Sequence, residues 1–283
     1  MTIPSGTKTP SRSPGPGSNH GRGRPRTPRA LIIPAVLAAA LFITPLVGLL
    51  LRAPWSAISG LVTEDVVVEA LRLSLISSLL ATVFSALLGV PLAWVLSHLD
   101  FPGRRLLRGI VTLPMVLPPV VGGAALLLVF GRQGLIGAPL AEATGLVLPF
   151  SIWGVVMANT FVAMPFLVVT VEGALEAMDR RREDAAATLG AGPLTIFRRI
   201  TMPMIAPSLR SGIVLAWARA LGEFGATITF AGNLQGRTQT LPLAVFVTLE
   251  SDRAAAIAIS LMLVAVSLVV LVALRAEWWR GAR

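Results

Sequence analysis

The run LIIPAVLAAALFITPLVGLLL, Leu31–Leu51, carries no charged side chain. It is long enough to cross a lipid hydrocarbon core as one helix. Comparable apolar stretches recur at about Ala70–Leu96, Ile110–Phe130, Leu146–Val171, Ile205–Ala231 and Ala254–Leu274. Lipid offers no partner to an exposed N–H or C=O, so a spanning segment must satisfy its own backbone or close into a barrel. The two-residue alternation of barrel strands is absent, and helices follow. The expectation is an all-α polytopic membrane protein with six transmembrane helices.

Composition agrees. Only 13% of the 283 residues are charged, against about 25% in soluble domains. The chain has no cysteine, which excludes disulfides and thiolate metal sites, and with two histidines in all, His20 in the N-terminal segment and His98 at a helix end, a histidine-based metal site is not expected. The net charge of +10 raises the question of nucleic acid. The arginines sit in the N-terminal segment and between apolar stretches, with no basic domain to form a footprint, so nucleic acid is not an expected partner.

Residues 1–30 are mainly Pro, Gly, Ser, Thr and Arg, with almost nothing to bury, and read as a disordered basic tail. The first helix, 31–52, reads as retained: the basic tail before it is long and no clear small-residue cleavage site follows. A core over 66–275 and a C-terminus over 276–283 complete the division. Basic residues favour the cytoplasmic side of a membrane. With the tail inside, segments 1–30, 98–108, 173–210 and 275–283 hold 18 of the 24 Lys and Arg residues. Both termini are therefore expected in the cytoplasm of a multi-pass plasma- or inner-membrane protein. Prolines 114, 118, 119 and 165 should kink or break their helices, which membranes tolerate where the break faces protein or a water-filled cavity.

One cytoplasmic segment is more than a connector. In EDAAATLGAGPLTIFRRITMP, Glu183–Pro203, small alanines permit close approach of another surface. Gly190 suits the left-handed residue that closes a helix, and Pro193 the first turn of the next. Ile196, Phe197 and Ile200 then share one face, leaving Arg198 and Arg199 on the other. Asp184-Ala185-Ala186, Gly190 four residues on, and Ile200-Thr201-Met202-Pro203 after nine more resemble the EAA loop of ABC importer permeases. Asp184 stands where that pattern carries Glu, with Glu183 beside it as a second carboxylate, and Met202 stands for Leu. The resemblance implies the type I importer permease fold, with a coupling loop at 179–205 seated in a cleft of a nucleotide-binding subunit. Its ATPase-coupling residues are then Glu183, Asp184, Ala185, Ala186, Gly190, Phe197, Ile200 and Pro203. A phosphate-cradling loop needs a lysine, and the only lysine here is Lys8. This chain is therefore not expected to be an enzyme or to bind a cofactor; ATP and magnesium belong to a partner ATPase.

Two further stretches, Thr112–Gly137 and Ala218–Phe246, resemble the molybdate permeases among these importers, and sulfate and tungstate permeases share much of the pattern. The similarity runs from about Leu71 to Leu274. It implies two ATPase copies, an extracytoplasmic oxyanion-binding protein that carries most of the substrate selection, and a permease homodimer. Within the second stretch, Glu223 is an ionisable group in an apolar region, costly unless it faces a cavity or a partner. Arg219 lies four residues earlier on the same helical face. Either the two line a translocation path, or they neutralise each other while glycines 212, 222, 225 and 232 let helices pack closely. Asn233, Arg237, Thr238 and Gln239 gather at the outer end of this stretch. Arg237 could draw in an oxyanion, because guanidinium matches its oxygen geometry, or the group could be a solvated loop. A proton-coupled secondary transporter using Glu223 is a rival, though no second internal copy of the loop is present. An intramembrane enzyme would need a nucleophile and base, or metal ligands, at membrane depth, and the spans contain no cysteine or histidine.

Overall fold

A computed structural model describes residues 31–280, with side chains as far as Val272. The expected tail over 1–30 and the last three residues lie outside the described part. Contacts divide the chain at Gly48 into two units. Most of α1 (Ile32–Leu51) is the described portion of the first, a 20-residue uncharged helix that passes Pro45 unbroken.

In the second unit a short α2 (Ile58–Val62) precedes α3 (Asp65–His98), followed by α4 (Arg104–Thr112), a 3-10 turn over Leu113–Met115 and α5 (Pro119–Phe130). Then come α6 (Gly137–Thr144), α7 (Ile152–Ala177), α8 (Arg181–Thr188) and α9 (Pro193–Ile196). A π-helical turn over Phe197–Thr201 leads into α10 (Met202–Leu221), and α11 (Gly225–Phe230), α12 (Leu241–Ser251) and α13 (Arg253–Arg280) end the described chain. No strand occurs among the described residues.

Three helices form the main core. Val90, Ala93 and Leu96 of α3, Leu167, Val171 and Leu175 of α7, and Ile205, Ala216 and Ala220 of α10 are buried together. Here α3 and α7 run side by side in the same direction: Ser77 faces Asn159, and the position a Cβ on Gly89 would occupy lies 3.1 Å from Leu167. A second cluster joins α5, α7 and α11 through Leu126, Ala158, Val162 and Phe230. A third joins α3, α12 and α13 through Val67, Leu241 and Ile259.

Each of the six expected apolar stretches is carried largely by helix, and the third is broken where prolines 118 and 119 were expected to break it. Among the described residues four helices are long and apolar enough to cross a membrane: Ile32–Leu51, Asp65–His98, Ile152–Ala177 and Arg253–Val272. The third apolar stretch breaks instead into Arg104–Met115 and Pro119–Phe130, bent by 116°. The cause is the Pro118-Pro119 pair: a residue before proline is driven out of the helical region, and Pro118 is extended at ψ 129°. The fifth stretch divides at Gly222–Phe224 into α10 and α11, and α12 is an apolar half-length helix that the sequence reading did not assign. Pro165 was expected to disrupt its helix, yet α7 continues through it. Two of the glycines expected at close contacts are tight: a Cβ on Gly225 would lie 2.9 Å from Pro119, where α5 and α11 begin beside one another, and one on Gly232 would lie 2.7 Å from the Phe150 ring. Gly222 is exposed and meets only its own helix.

Candidate functional site

The segment Glu183–Pro203 stands at the C-terminal ends of α3 and α7. Its first helix, α8, closes as its sequence demands. Gly190 takes φ +84°, and the N–H groups of Gly190 and Ala191 donate to the carbonyls of Ala187 and Ala186, both at 3.0 Å. These paired bonds close a helix with a left-handed glycine just past its end. Pro193 then opens α9 at its first turn. From Pro193 to Leu221 every turn is helical, so the second half of the hinged pair is continuous with α10. The widened turn at Phe197–Thr201, where Met202 N–H reaches Phe197 O, spares the Pro203 ring a clash with the preceding turn.

The pair is anchored from inside. Glu183 accepts from Thr201 Oγ1 with one carboxylate oxygen, and its other lies 3.4 Å from His98 Nε2. His98 stacks on Trp94 with ring centroids 4.8 Å apart, and Trp94 meets the Phe197 ring edge-on at 6.4 Å. Arg180 donates to the carbonyl of Ser97 at 2.7 Å. Glu183, which the sequence reading treated as the second carboxylate, therefore faces its own chain, while Asp184 and Ala185 are exposed and Ala186 is half-buried. Phe197 packs against the main core and Ile200 is half-buried. The apolar side chains left open on the hinged pair are Leu189, 88% exposed, and Leu194, 68% exposed. Pro203 is exposed as well.

The residues singled out at membrane depth fall into two groups. Arg219 Nη1 meets Glu223 Oε2 at 2.5 Å, and Glu223 Oε1 accepts from the N–H of Ala226 at 2.8 Å. Glu223 is 2% exposed. It thus neutralises Arg219 and caps the restart of the helix after the Gly222–Phe224 break. Beyond α11, Thr238 is buried and serves the fold of the turn: its hydroxyl accepts from Leu234 N–H at 2.9 Å and donates to Gly232 O at 3.2 Å. Arg237 is exposed, Gln239 is half-buried, and Asn233 is half-buried with an Oδ1 that has no partner.

The sequence reading missed two clusters. Asn159 of α7 donates to Ser77 Oγ at 3.4 Å and accepts from Thr227 Oγ1 at 3.2 Å, tying α3 and α11 through one buried amide. A single Asn inside an apolar 26-residue helix was the available signal. Near the α8 end, Arg108 of α4 donates to Glu172 Oε1 from Nε at 2.8 Å and to Glu176 Oε1 from Nη2 at 2.7 Å. Beside them lies a cleft of about 560 Å³.

Buried apolar helices, broken spans and a hinged helix pair at one end describe a multi-pass transport protein of the membrane. The chain belongs to the family of binding-protein-dependent transport system inner membrane components, matched over residues 85–276. Within it, the chain is 46% identical to the molybdenum transport system permease protein ModB of Mycobacterium tuberculosis over 250 residues, 88% of this chain and 94% of that protein. It is 37% identical to the sulfate transport system permease protein CysT of Salmonella typhimurium, over 81% of this chain and 83% of that one. In fold it matches a chain of a bacterial alginate ABC transporter crystallised with its periplasmic protein: TM-score 0.73, 17% identity, 90% of this chain and 94% of that chain.

Proposed function

We propose that this chain is the membrane-spanning subunit of an ATP-driven importer of molybdate, with the hinged pair α8–α9 as the element that meets the ATPase. The observation that carries the substrate is the 46% identity to a molybdenum permease across nearly the whole of that protein. The lower identity to a sulfate permease makes sulfate the second reading. The coupling role is supported by Leu189 and Leu194, apolar and open on a rigidly anchored element, because a docking surface needs an apolar anchor held in place. ATP and magnesium would be held by two copies of the partner ATPase. An extracytoplasmic oxyanion-binding protein would deliver the substrate, and two copies of this chain would line one path. Arginine placement supports an orientation with both termini and Glu183–Pro203 in the cytoplasm.

The residues at membrane depth take structural parts in this reading. Arg219 and Glu223 hold the break between α10 and α11, and Thr238 holds the following turn. Arg237, open to solvent, is the one member of that group placed to attract an anion. Uptake of labelled molybdate by cells carrying the whole operon tests the proposal. Transport should depend on this chain and resist a large excess of sulfate. Uptake abolished by equimolar sulfate would move the assignment to sulfate.

A further inference from the structure

The break at Pro118 leaves α4 with an unusual surface. Its inner edge is satisfied: Leu107 and Val111 pack on the main core, Arg104 meets Asp100 at 2.5 Å, and Arg108 is held by Glu172 and Glu176. Those carboxylates lie at the C-terminal ends of α3 and α7, the end that also carries α8. The apolar arc does not stop at the core. It continues around the helix through Leu106, 70% exposed, Ile110, 55%, and Leu113, 49%. Arg105 flanks that open arc, is exposed, and has no carboxylate within ion-pair distance among the described residues. The 116° bend prevents α4 from continuing the line of α5 through the membrane.

We propose that α4 is a membrane-surface helix lying in the cytoplasmic headgroup layer, with Leu106, Ile110 and Leu113 among the acyl chains and Arg105 on the phosphates of anionic lipid. An amphipathic helix with basic residues beside its apolar face binds in that plane, and its affinity rises with anionic lipid. Charge decides between lipid and a second copy of the chain. An isologous contact between two copies sets the same patch against itself and brings Arg105 toward a second Arg105, whereas a phosphate layer supplies the partner that Arg105 lacks. The side of the membrane rests on the orientation proposed above.

The absence of cysteine makes the test direct. Variants L106C and I110C, each labelled with a small fluorophore, are assembled into the complete transport complex in phosphatidylcholine vesicles. Acyl-brominated phosphatidylcholine or phosphatidylglycerol is then added as quencher. Both positions should be quenched, with phosphatidylglycerol preferred about fivefold, the equivalent of about 1 kcal/mol for one arginine near an anionic surface. R105Q in the same background should remove the preference and leave the quenching. Absence of quenching would overturn the proposal, as would disulfide cross-linking of Leu106→Cys between two copies, which would assign the face to the second copy. Quenching without headgroup preference would overturn the role of Arg105. None of these failures touches the importer reading, which the uptake assay tests separately.

Discussion

Glu223 shows how one side chain can hold a broken helix at membrane depth. One oxygen takes the Arg219 guanidinium at 2.5 Å and the other takes the N–H of Ala226 at 2.8 Å. Neutralising it leaves Arg219 without its counter-charge while the amide oxygen still serves Ala226. Glu223→Gln should therefore cost about 2 kcal/mol, the worth of a charge-assisted hydrogen bond. It should appear as a lower melting temperature of the solubilised protein. Adding Arg219→Leu should restore part of the loss, since removing both members of a buried pair is milder than removing one. A Glu223→Gln protein of unchanged stability whose transport loses its pH dependence would instead favour a proton carrier. Also at this scale, Glu183 and Asp184 are neighbours with opposite surroundings. Glu183 is enclosed by Thr201 and His98, and Asp184 is in solvent. Helical geometry separates consecutive residues by more than a quarter turn, but which of the two faces inward depends on where His98 arrives, 85 residues away.

Among the elements, the hinged pair α8–α9 divides its apolar side chains between two tasks. Phe197 faces Trp94 and the main core, and Leu194 faces outward at 68% exposure. Their substitution by aspartate should separate those tasks. Leu194→Asp should leave the melting temperature of the isolated permease nearly unchanged, as surface substitutions cost within about 0.5 kcal/mol, and should abolish co-purification of the ATPase. Phe197→Asp should destabilise the permease itself by about 2 kcal/mol, because a charge enters a packed aromatic cluster. Thermal melts and pull-downs on the two variants check both halves. A stable Phe197→Asp protein with ATPase detached would reverse the assignment and place the docking face on the Ile196–Ile200 side, which was the expectation from helical periodicity alone. That periodicity showed the apolar face correctly, but it could not tell a face that packs on its own chain from one that awaits a partner.

At the scale of the whole molecule, one hinged pair occurs among the described residues, and the proposed importer, working with two ATPases, would need two. We expect the intact complex to contain two copies of this chain, two ATPases and one binding protein. Native mass measurement of the complex checks this. A complex with a single copy of this chain beside a different permease would exclude the homodimer and shift the substrate toward sulfate.

Membrane residence, the placement of the apolar stretches, the closure of α8 at Gly190 and the opening of α9 at Pro193 were all legible in the sequence. Each depends on local quantities: transfer free energy summed along a segment, a glycine's access to positive φ, a proline's fixed φ. Tertiary structure decided the rest. Pro118-Pro119 turns its stretch through 116° while Pro165 leaves α7 continuous, though both are prolines in apolar surroundings. The packing of α5 against α11 rewards a break at Pro119, and the α3–α7–α10 core holds α7 together around Pro165. The half-length helix α12 is tied at its start to α3, where Ser74 receives the N–H of Leu241 across 167 residues, at 2.7 Å. Asn159 becomes a junction only where α3 and α11 bring Ser77 and Thr227 to it. Contacts between distant residues carry no local periodicity, so the chain's own pattern could announce the helices but not which of their faces would meet.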